Sequence, residues 1–166
     1  KMATNIYSNL ERLMKEYKWK KNPPTSKCGT RNGTFRLNEY SCNVGFTKHF
    51  NKAGHPIKEG IKYKQNKGAI YKECKKLFPW FNFDGCMINK NFECPPHKDK
   101  NNFADILIVG VGDYEEGGEL VVSDEAIDIK YRPHTFNGGN HTHYVKPWGS
   151  GDRYTATLFR IKPTYK

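Results

Sequence analysis

A chain of 166 residues is long enough for one domain with a hydrophobic core and too short for two ordinary domains. It has no apolar run of membrane-spanning length, and its first twenty residues alternate polar and apolar side chains, unlike a signal peptide. Five cysteines without a CxxC pair fit neither a disulfide framework nor a typical structural zinc site. We therefore expect a soluble intracellular protein, in cytoplasm or nucleus, with reduced thiols and no membrane partner.

The net charge of +11 is concentrated in the N-terminal half of the chain. Residues 1–76 hold 18 Lys and Arg against 5 acidic residues, whereas residues 77–166 hold 10 against 12. A polyanion such as nucleic acid would therefore meet the N-terminal half first. The same lysines could serve solubility alone, so charge by itself does not decide between these two interpretations.

The first 80 residues predict two amphipathic helices. Apolar residues from Ile6 to Tyr17 recur at the spacing of one helical face, and two prolines follow. Residues 25–67 are rich in Gly, Asn, Lys and Thr, with short aromatic segments that suggest strands joined by long loops. Residues 67–78, KGAIYKECKKLF, predict the second helix, which a proline ends.

After residue 80 the sequence predicts short strands separated by turns. The six strand-like segments are FDGCMIN, DILIVGVG, GELVVS, IDIKYR, THYV and RYTATLFRIK. Such close spacing, without a helical period between the segments, indicates a compact antiparallel sandwich or barrel. We expect one mainly β domain over residues 1–166, in which residues 1–80 form a basic helical support and residues 81–166 the β core.

The segment CPPHKDKNN places a histidine and an aspartate two residues apart. If a strand continues through them, His97 and Asp99 point to the same face and can bind one metal ion. An isolated HxD triplet would more often be an ordinary surface pair. Here a second segment, HTFNGGNHTHYVKPWGSGDRYTATLFR, adds His141, His143 and Arg153. Two histidines and a carboxylate on one face of an ion are typical of non-haem Fe(II) oxygenases.

HKD followed by HYVKPWGSGDRY resembles the HxD…H…R signature of the Fe(II)- and 2-oxoglutarate-dependent dioxygenases. The resemblance implies a double-stranded β-helix (a cupin-like jelly roll) in which His97, Asp99 and His143 bind Fe(II), with 2-oxoglutarate and O2 as cosubstrates. Arg153, ten residues after His143, would bind the far carboxylate of 2-oxoglutarate through its planar fork. His141 comes two residues too early for this pattern, and we assign it to the surface or to contacts behind the ligands.

The segments MINKNFECPPHKDKNN and YEEGGELVV resemble, more narrowly, the ten-eleven-translocation and base-J-binding-protein (TET/JBP) nucleobase oxygenases. This resemblance implies hydroxylation of a nucleic-acid base, in the first place the methyl group of 5-methylcytosine or thymine in DNA, with release of succinate and CO2. Asn102 would hold the flipped base, since an amide both donates and accepts hydrogen bonds. Asparagine at this position could also simply stabilise a turn. The partner would be DNA rather than RNA, bound by a monomer through its basic N-terminal half, and a viral or phage origin is compatible with this function.

Three other interpretations remain open. A prolyl or lysyl protein hydroxylase would use the same fold and the same metal ligands, but it would need a groove for an extended peptide. The alkylation-repair dioxygenases carry a second arginine six residues after the first, where this chain has Phe159. A non-catalytic binding module on this fold would not need all three ligands together with Arg153.

Overall fold

The structure, a computed structural model, describes residues 5–19, 40–47, 64–66, 68–99 and 103–161. Within these residues lie two helices, α1 (Ser8–Glu16) and α2 (Ala69–Leu77), and eleven strands. The strands are β1 (Ser41–Thr47), β2 (Lys64–Asn66), β3 (Gly85–Lys90), β4 (Ile106–Gly112), β5 (Glu115–Gly117), β6 (Leu120–Val122), β7 (Glu125–Ile127), β8 (His134–Phe136), β9 (His143–Val145), β10 (Trp148–Ser150) and β11 (Arg153–Phe159).

The largest sheet has six antiparallel strands in the order β2, β1, β3, β11, β4 and β8. β11 lies inside this sheet, and its first residue, Arg153, pairs with Gly112 at the end of β4. Because side chains alternate along a strand, Arg153 and Thr155 share one face of the sheet, and Tyr154 points to the opposite face. The two faces are therefore buried against different layers.

The two helices cover one face of this sheet. Leu10 and Met14 of α1 are completely buried, and so is Cys74 of α2, because each helix turns its apolar side toward the strands. The sheet contributes alternate residues of its strands to the same apolar cluster: Val44, Cys86, Ile88, Leu107, Val109, Val111, Tyr154, Ala156 and Leu158. This packing leaves the opposite face of the sheet available for a site.

A second layer of short strands covers that opposite face. It consists of a three-stranded sheet in the order β7, β6 and β9 and the two-stranded pair β10 and β5. A second apolar cluster joins the two layers: Ile106, Ile108, Leu120, Val122, Ile129 and Phe136. The close approach of β5 to β10 depends on Gly117, whose φ is +121° and where a Cβ atom would lie 2.1 Å from the carbonyl oxygen of Pro147.

Both predicted helices and five of the six predicted strands after residue 80 are confirmed by the structure. The prediction of a strand over residues 127–132 is wrong. There β7 ends at Ile127, the Asp128 carboxylate accepts a hydrogen bond from the N–H of Lys130 at 3.0 Å, and Tyr131 has a φ of 56°. The local turn therefore prevails over the apolar alternation of this segment.

The basic N-terminal region contributes strands as well as helices. β1 and β2 both belong to the large sheet, in keeping with the short strands expected between residues 25 and 67. Apart from Tyr40, the other residues of that segment lie outside the described part of the chain. Neither described helix has the length and apolar character needed to cross a bilayer.

Candidate metal centre

Three side chains converge between the two layers. The Nε2 atom of His97 lies 3.3 Å from Oδ1 of Asp99, and Nε2 of His143 lies 3.1 Å from Oδ2 of the same carboxylate. One ligand atom from each of the three residues lies within 4.8 Å of those from the other two. Within the described residues, this is the group of metal-binding side chains that could hold an ion, and it matches the set predicted from the sequence.

The backbone brings His97 next to His143 through an isolated bridge. The N–H of His97 donates to the carbonyl of His143 at 3.0 Å, and the N–H of His143 donates back at 2.9 Å. The N–H of Asp99 then donates to the carbonyl of Gly138 at 2.9 Å. The condition of a continuous strand through His97 and Asp99 is not met: both residues follow β3 in an irregular segment, and the hydrogen bonds to β9 and its preceding turn orient them.

Hydrogen bonds behind the two imidazoles orient the Nε2 atom of each ring toward Asp99. Nδ1 of His97 lies 2.8 Å from the carbonyl oxygen of Pro95, and Nδ1 of His143 lies 2.9 Å from that of His141. A carbonyl oxygen only accepts, so Nδ1 carries a proton in each ring, and Nε2 is the atom that faces Asp99 and could bind a metal ion. His141 therefore contributes its backbone, in keeping with its predicted place behind the ligands.

The Asp99 carboxylate is the anionic member of the group. Burial alone would raise its pKa, but the hydrogen bonds from His143 and His97 outweigh that effect and hold the pKa of Asp99 well below its ordinary value. An ionised carboxylate beside two imidazoles is a donor set suited to a divalent transition metal. The ring of Phe136 packs edge-to-face against His143, with centroids 5.0 Å apart, and restricts the rotation of that imidazole.

Arg153 is buried beside this group, with only 2% of its surface exposed. Its Nε donates to the carbonyl of Gly118 at 3.0 Å, but its Nη2 atom has no hydrogen-bond partner among the described residues. The guanidinium lies 5.4 Å from the ring centroid of Tyr114 and 5.7 Å from that of Trp148. Burial lowers the pKa of Arg153, and its interaction with Tyr114 offsets this only in part. No acidic side chain of the described residues forms an ion pair with it. A buried cation with an unpaired donor is suited to bind an anion.

A cavity of about 130 Å³ joins the three metal-binding side chains to Arg153. Its walls come from both layers: Met87, Asn89, Phe92, Cys94, Ile106, Ile108, Leu120, Phe136, Tyr144, Val145, Thr155 and Thr157. Most of these side chains are apolar or aromatic, and the cavity also has polar groups from Asn89, Tyr144, Thr155 and Thr157 besides the metal-binding group and Arg153. The cavity therefore suits a small anion that also contacts a metal ion.

The structure reveals contacts that sequence reasoning missed. Cys94 places its Sγ atom 3.2 Å from Nδ1 of His97, and the ring of Trp148 covers Arg153. The Trp148 position was visible in the KPWGSGDRY segment, but no local pattern relates a tryptophan to an arginine five residues later. Asn102, predicted to bind the substrate, lies outside the described residues. The cysteines of the described segments form no disulfide, as expected.

Comparison with known proteins identifies the fold. No family model matches the sequence, and no curated protein does either. An oxidoreductase of the 2OG-Fe(II) oxygenase family from Burkholderia pseudomallei superposes with a TM-score of 0.60 at 14% identity, over 92% of this chain and 77% of that one. The fold is that of the 2OG-Fe(II) oxygenases. The predicted jelly-roll core and the resemblance to this superfamily are thereby confirmed.

Two further solved structures share this 2OG-Fe(II) oxygenase fold. OsALKBH1 superposes with a TM-score of 0.55 at 10% identity, over 96% of this chain and 92% of its own. NgTET1 in complex with 5mC DNA gives a TM-score of 0.51 at 11% identity, over 76% of this chain. The present chain covers 62% of that NgTET1 chain.

The residues of this chain fit the two groups that the 2OG-Fe(II) family name implies. His97, Asp99 and His143 provide two imidazoles and one carboxylate for Fe(II). The unpaired Nη2 atom of Arg153 is the buried donor that a dicarboxylate such as 2-oxoglutarate would satisfy. The fit rests on the donor set and on this orphaned donor, both of which are properties of the folded chain.

Proposed function

We propose that this protein is an Fe(II)- and 2-oxoglutarate-dependent dioxygenase that hydroxylates a nucleic-acid base, first the methyl group of 5-methylcytosine or thymine in DNA. The observation that carries the proposal is the shared cavity, in which a His-Asp-His group and a buried, unpaired arginine line the same space. Either feature alone also occurs in proteins of unrelated function. Together they provide for a metal ion and for a carboxylate that reaches it.

Each side chain has a distinct role in this proposal. His97 and His143 present Nε2 to the metal because backbone carbonyls hold their Nδ1 protons. Asp99 remains ionised and supplies the negative charge of the ligand set. Arg153 binds the far carboxylate of 2-oxoglutarate with its planar fork, in an apolar surrounding where a charge-assisted hydrogen bond is strong.

Bound Fe(II), with 2-oxoglutarate and O2, would supply the oxidising power for hydroxylation of a C–H bond, with release of succinate and CO2. The chain contributes position and exclusion of water. Phe136 and Val145 line the cavity beside the ligands, and the second layer of strands closes over it. The C–H bond that reacts would be the one that the bound substrate places beside His97 and Asp99.

Charge and structural likeness support a nucleic-acid substrate. Residues 1–76 carry a net charge of +13 and residues 77–166 one of −2, and a basic region of this kind suits a protein that binds phosphates. One structure with this fold, NgTET1, is in complex with 5mC DNA. A base within a duplex must leave the stack to reach a buried metal, and Asn102, three residues after Asp99, would then bind its polar edge. We propose that the protein acts as a monomer.

Mass spectrometry of nucleosides tests the reaction directly. The protein is incubated with Fe(II), 2-oxoglutarate and methylated or thymine-containing DNA, and both succinate and hydroxymethylated nucleosides are measured. Asp99→Ala serves as the inactive control, and RNA and a proline- and lysine-rich peptide library serve as alternative substrates. Product from DNA supports the proposal. Product from the peptides alone would replace it with a protein hydroxylase, and succinate from none of them would favour a binding module.

Two experiments separate affinity for DNA from the choice of base: the salt dependence of binding and the Asn102→Ala substitution. If lysines of the N-terminal half contact phosphates, binding should weaken steeply with salt for every DNA sequence. Asn102→Ala should lower oxidation of the preferred base and leave 2-oxoglutarate affinity and most DNA affinity unchanged, because base contacts specify and phosphate contacts position. Unchanged base oxidation in Asn102→Ala would refute this role of Asn102, and undetectable nucleic-acid binding at low salt would refute the substrate class.

A further inference from the structure

We propose that Asn91 is a positioning residue for Arg153, an inference that rests on the proposed role of Arg153 in binding 2-oxoglutarate. Asn91 directly follows β3 and has a φ of 51°, in the left-handed region. Its N–H donates to the carbonyl of Arg153 at 2.7 Å, and its Oδ1 accepts from the N–H of Arg153, also at 2.7 Å. One asparagine thus holds both backbone groups of the arginine.

The asparagine side chain also holds the residue that precedes Arg153. Its Nδ2 donates to the carboxylate of Asp152 at 2.8 Å, while the N–H of Asp152 donates to Asp113 on the opposite side at 2.8 Å. Asparagine fits this position because it tolerates a positive φ and offers a donor and an acceptor on one short side chain. Glycine would keep the φ and lose both side-chain hydrogen bonds.

The hydrogen bonds of Asn91 hold the start of β11, at Arg153 itself. A small displacement of the backbone at this residue would move its guanidinium group. On its other edge Arg153 pairs with Gly112, and a Cβ atom at Gly112 would lie 2.2 Å from the carbonyl oxygen of Asp152. The side chain itself is fixed by its hydrogen bond to Gly118. The orientation of the guanidinium group therefore depends on the backbone position of Arg153, and Asn91 fixes that position from the end of β3.

An exchange of the amide and the carboxylate tests this inference. Asn91→Gly should weaken 2-oxoglutarate binding about three- to tenfold, which corresponds to one net hydrogen bond. Asn91→Asp alone should also weaken binding, because two carboxylates then face each other. The double variant Asn91→Asp with Asp152→Asn keeps an acceptor for the N–H of Arg153 and restores an amide-carboxylate pair between positions 91 and 152. It should therefore recover most of the affinity for 2-oxoglutarate.

Binding is measured by calorimetry with Mn(II) in place of Fe(II) and without O2, so that no turnover is needed. Exchange of the Arg153 amide hydrogen provides a second readout, and it should be faster in Asn91→Gly. Asp124→Gly is the matched control, because Asp124 also has a positive φ, of 70°, but lies in the exposed turn between β6 and β7. It should change neither readout.

The outcomes distinguish the two proposals. If the unaltered protein binds 2-oxoglutarate and Asn91→Gly binds it equally well, the positioning role is overturned and the proposed function stands. The positioning role is also overturned if Asn91→Gly and Asn91→Asp both bind 2-oxoglutarate more weakly and the double variant does not recover the affinity. Failure of the unaltered protein itself to bind 2-oxoglutarate overturns the proposed function, and this inference falls with it. A purely structural role would lower the melting temperature of Asn91→Gly and leave the affinity unchanged.

Discussion

Replacing Arg153 by methionine should weaken 2-oxoglutarate binding strongly without a large loss of stability in the ligand-free protein. Methionine keeps an unbranched, flexible stem and removes the buried charge. The arginine is 2% exposed, and no acidic residue of the described segments pairs with it, so folding bears its desolvation cost. Removal of that cost offsets the lost hydrogen bond to Gly118. We expect the free energy of unfolding of the ligand-free protein to change by less than about 1 kcal/mol.

The expected loss of binding follows from the contact that the charge provides. Charge-assisted hydrogen bonds contribute about 1.5–3 kcal/mol, or roughly tenfold to a few hundredfold in the dissociation constant. At a ligand concentration of about 100 times the parent dissociation constant, 2-oxoglutarate should stabilise the parent by about 2.7 kcal/mol. A hundredfold weaker variant should gain only about 0.4 kcal/mol at the same concentration.

Urea unfolding with and without 2-oxoglutarate, in the presence of Mn(II), measures both quantities. Arg153→Lys should lie between the parent and Arg153→Met, because it keeps the charge and loses the fork. Arg160→Met is the matched control: its guanidinium lies over the ring of Phe103, 4.9 Å from the centroid, and does not line the cavity. Equal stabilisation of the parent and Arg153→Met by 2-oxoglutarate would refute the reasoning. So would a loss of several kcal/mol in the ligand-free variant, which would indicate that the charge has a structural partner.

Three further predictions test the surroundings of the site. Asp99→Ala removes the anionic ligand, so metal retention in equilibrium dialysis should collapse while circular dichroism stays native; retention of metal there would refute the ligand set. Trp148→Ala should raise the dissociation constant of 2-oxoglutarate severalfold, because it removes a cation-π contact of about 0.5–2 kcal/mol with Arg153. Trp148→Phe should restore the parent affinity. If Trp148→Ala binds 2-oxoglutarate as tightly as the parent does, the ring does not support Arg153. Burial alone would raise the pKa of Glu11, but hydrogen bonds from Tyr131, Lys15 and the N–H of Gly112 outweigh burial and lower this pKa below its ordinary value. The ionised carboxylate therefore stabilises the folded protein at neutral pH. This stabilisation is lost as the pH falls through the pKa of Glu11 in the folded state. Glu11→Gln should therefore cost about 1 kcal/mol at neutral pH and almost nothing in strong acid, and a cost independent of pH would contradict this assignment.

The sequence by itself predicted the elements whose signal is local. The helical period between Ile6 and Tyr17 and the apolar face of residues 67–78 gave both helices, because each spans enough residues to show its period. The HxD spacing of His97 and Asp99, together with the resemblance to the 2-oxoglutarate-dependent dioxygenases that selected His143, predicted a metal-binding group, and the structure brings these three side chains together.

Only the tertiary structure decided the features that depend on distant partners. β5, β7, β8 and β10 have three residues each, too few to show an alternating pattern, and they form because another strand offers hydrogen bonds. The burial of Arg153 and its unpaired donor likewise depend on Trp148, Gly118 and Asn91, which surround it only after the layers have packed. A side chain's environment is set by residues far away in the sequence, and no local pattern records which of its hydrogen bonds remains unmade.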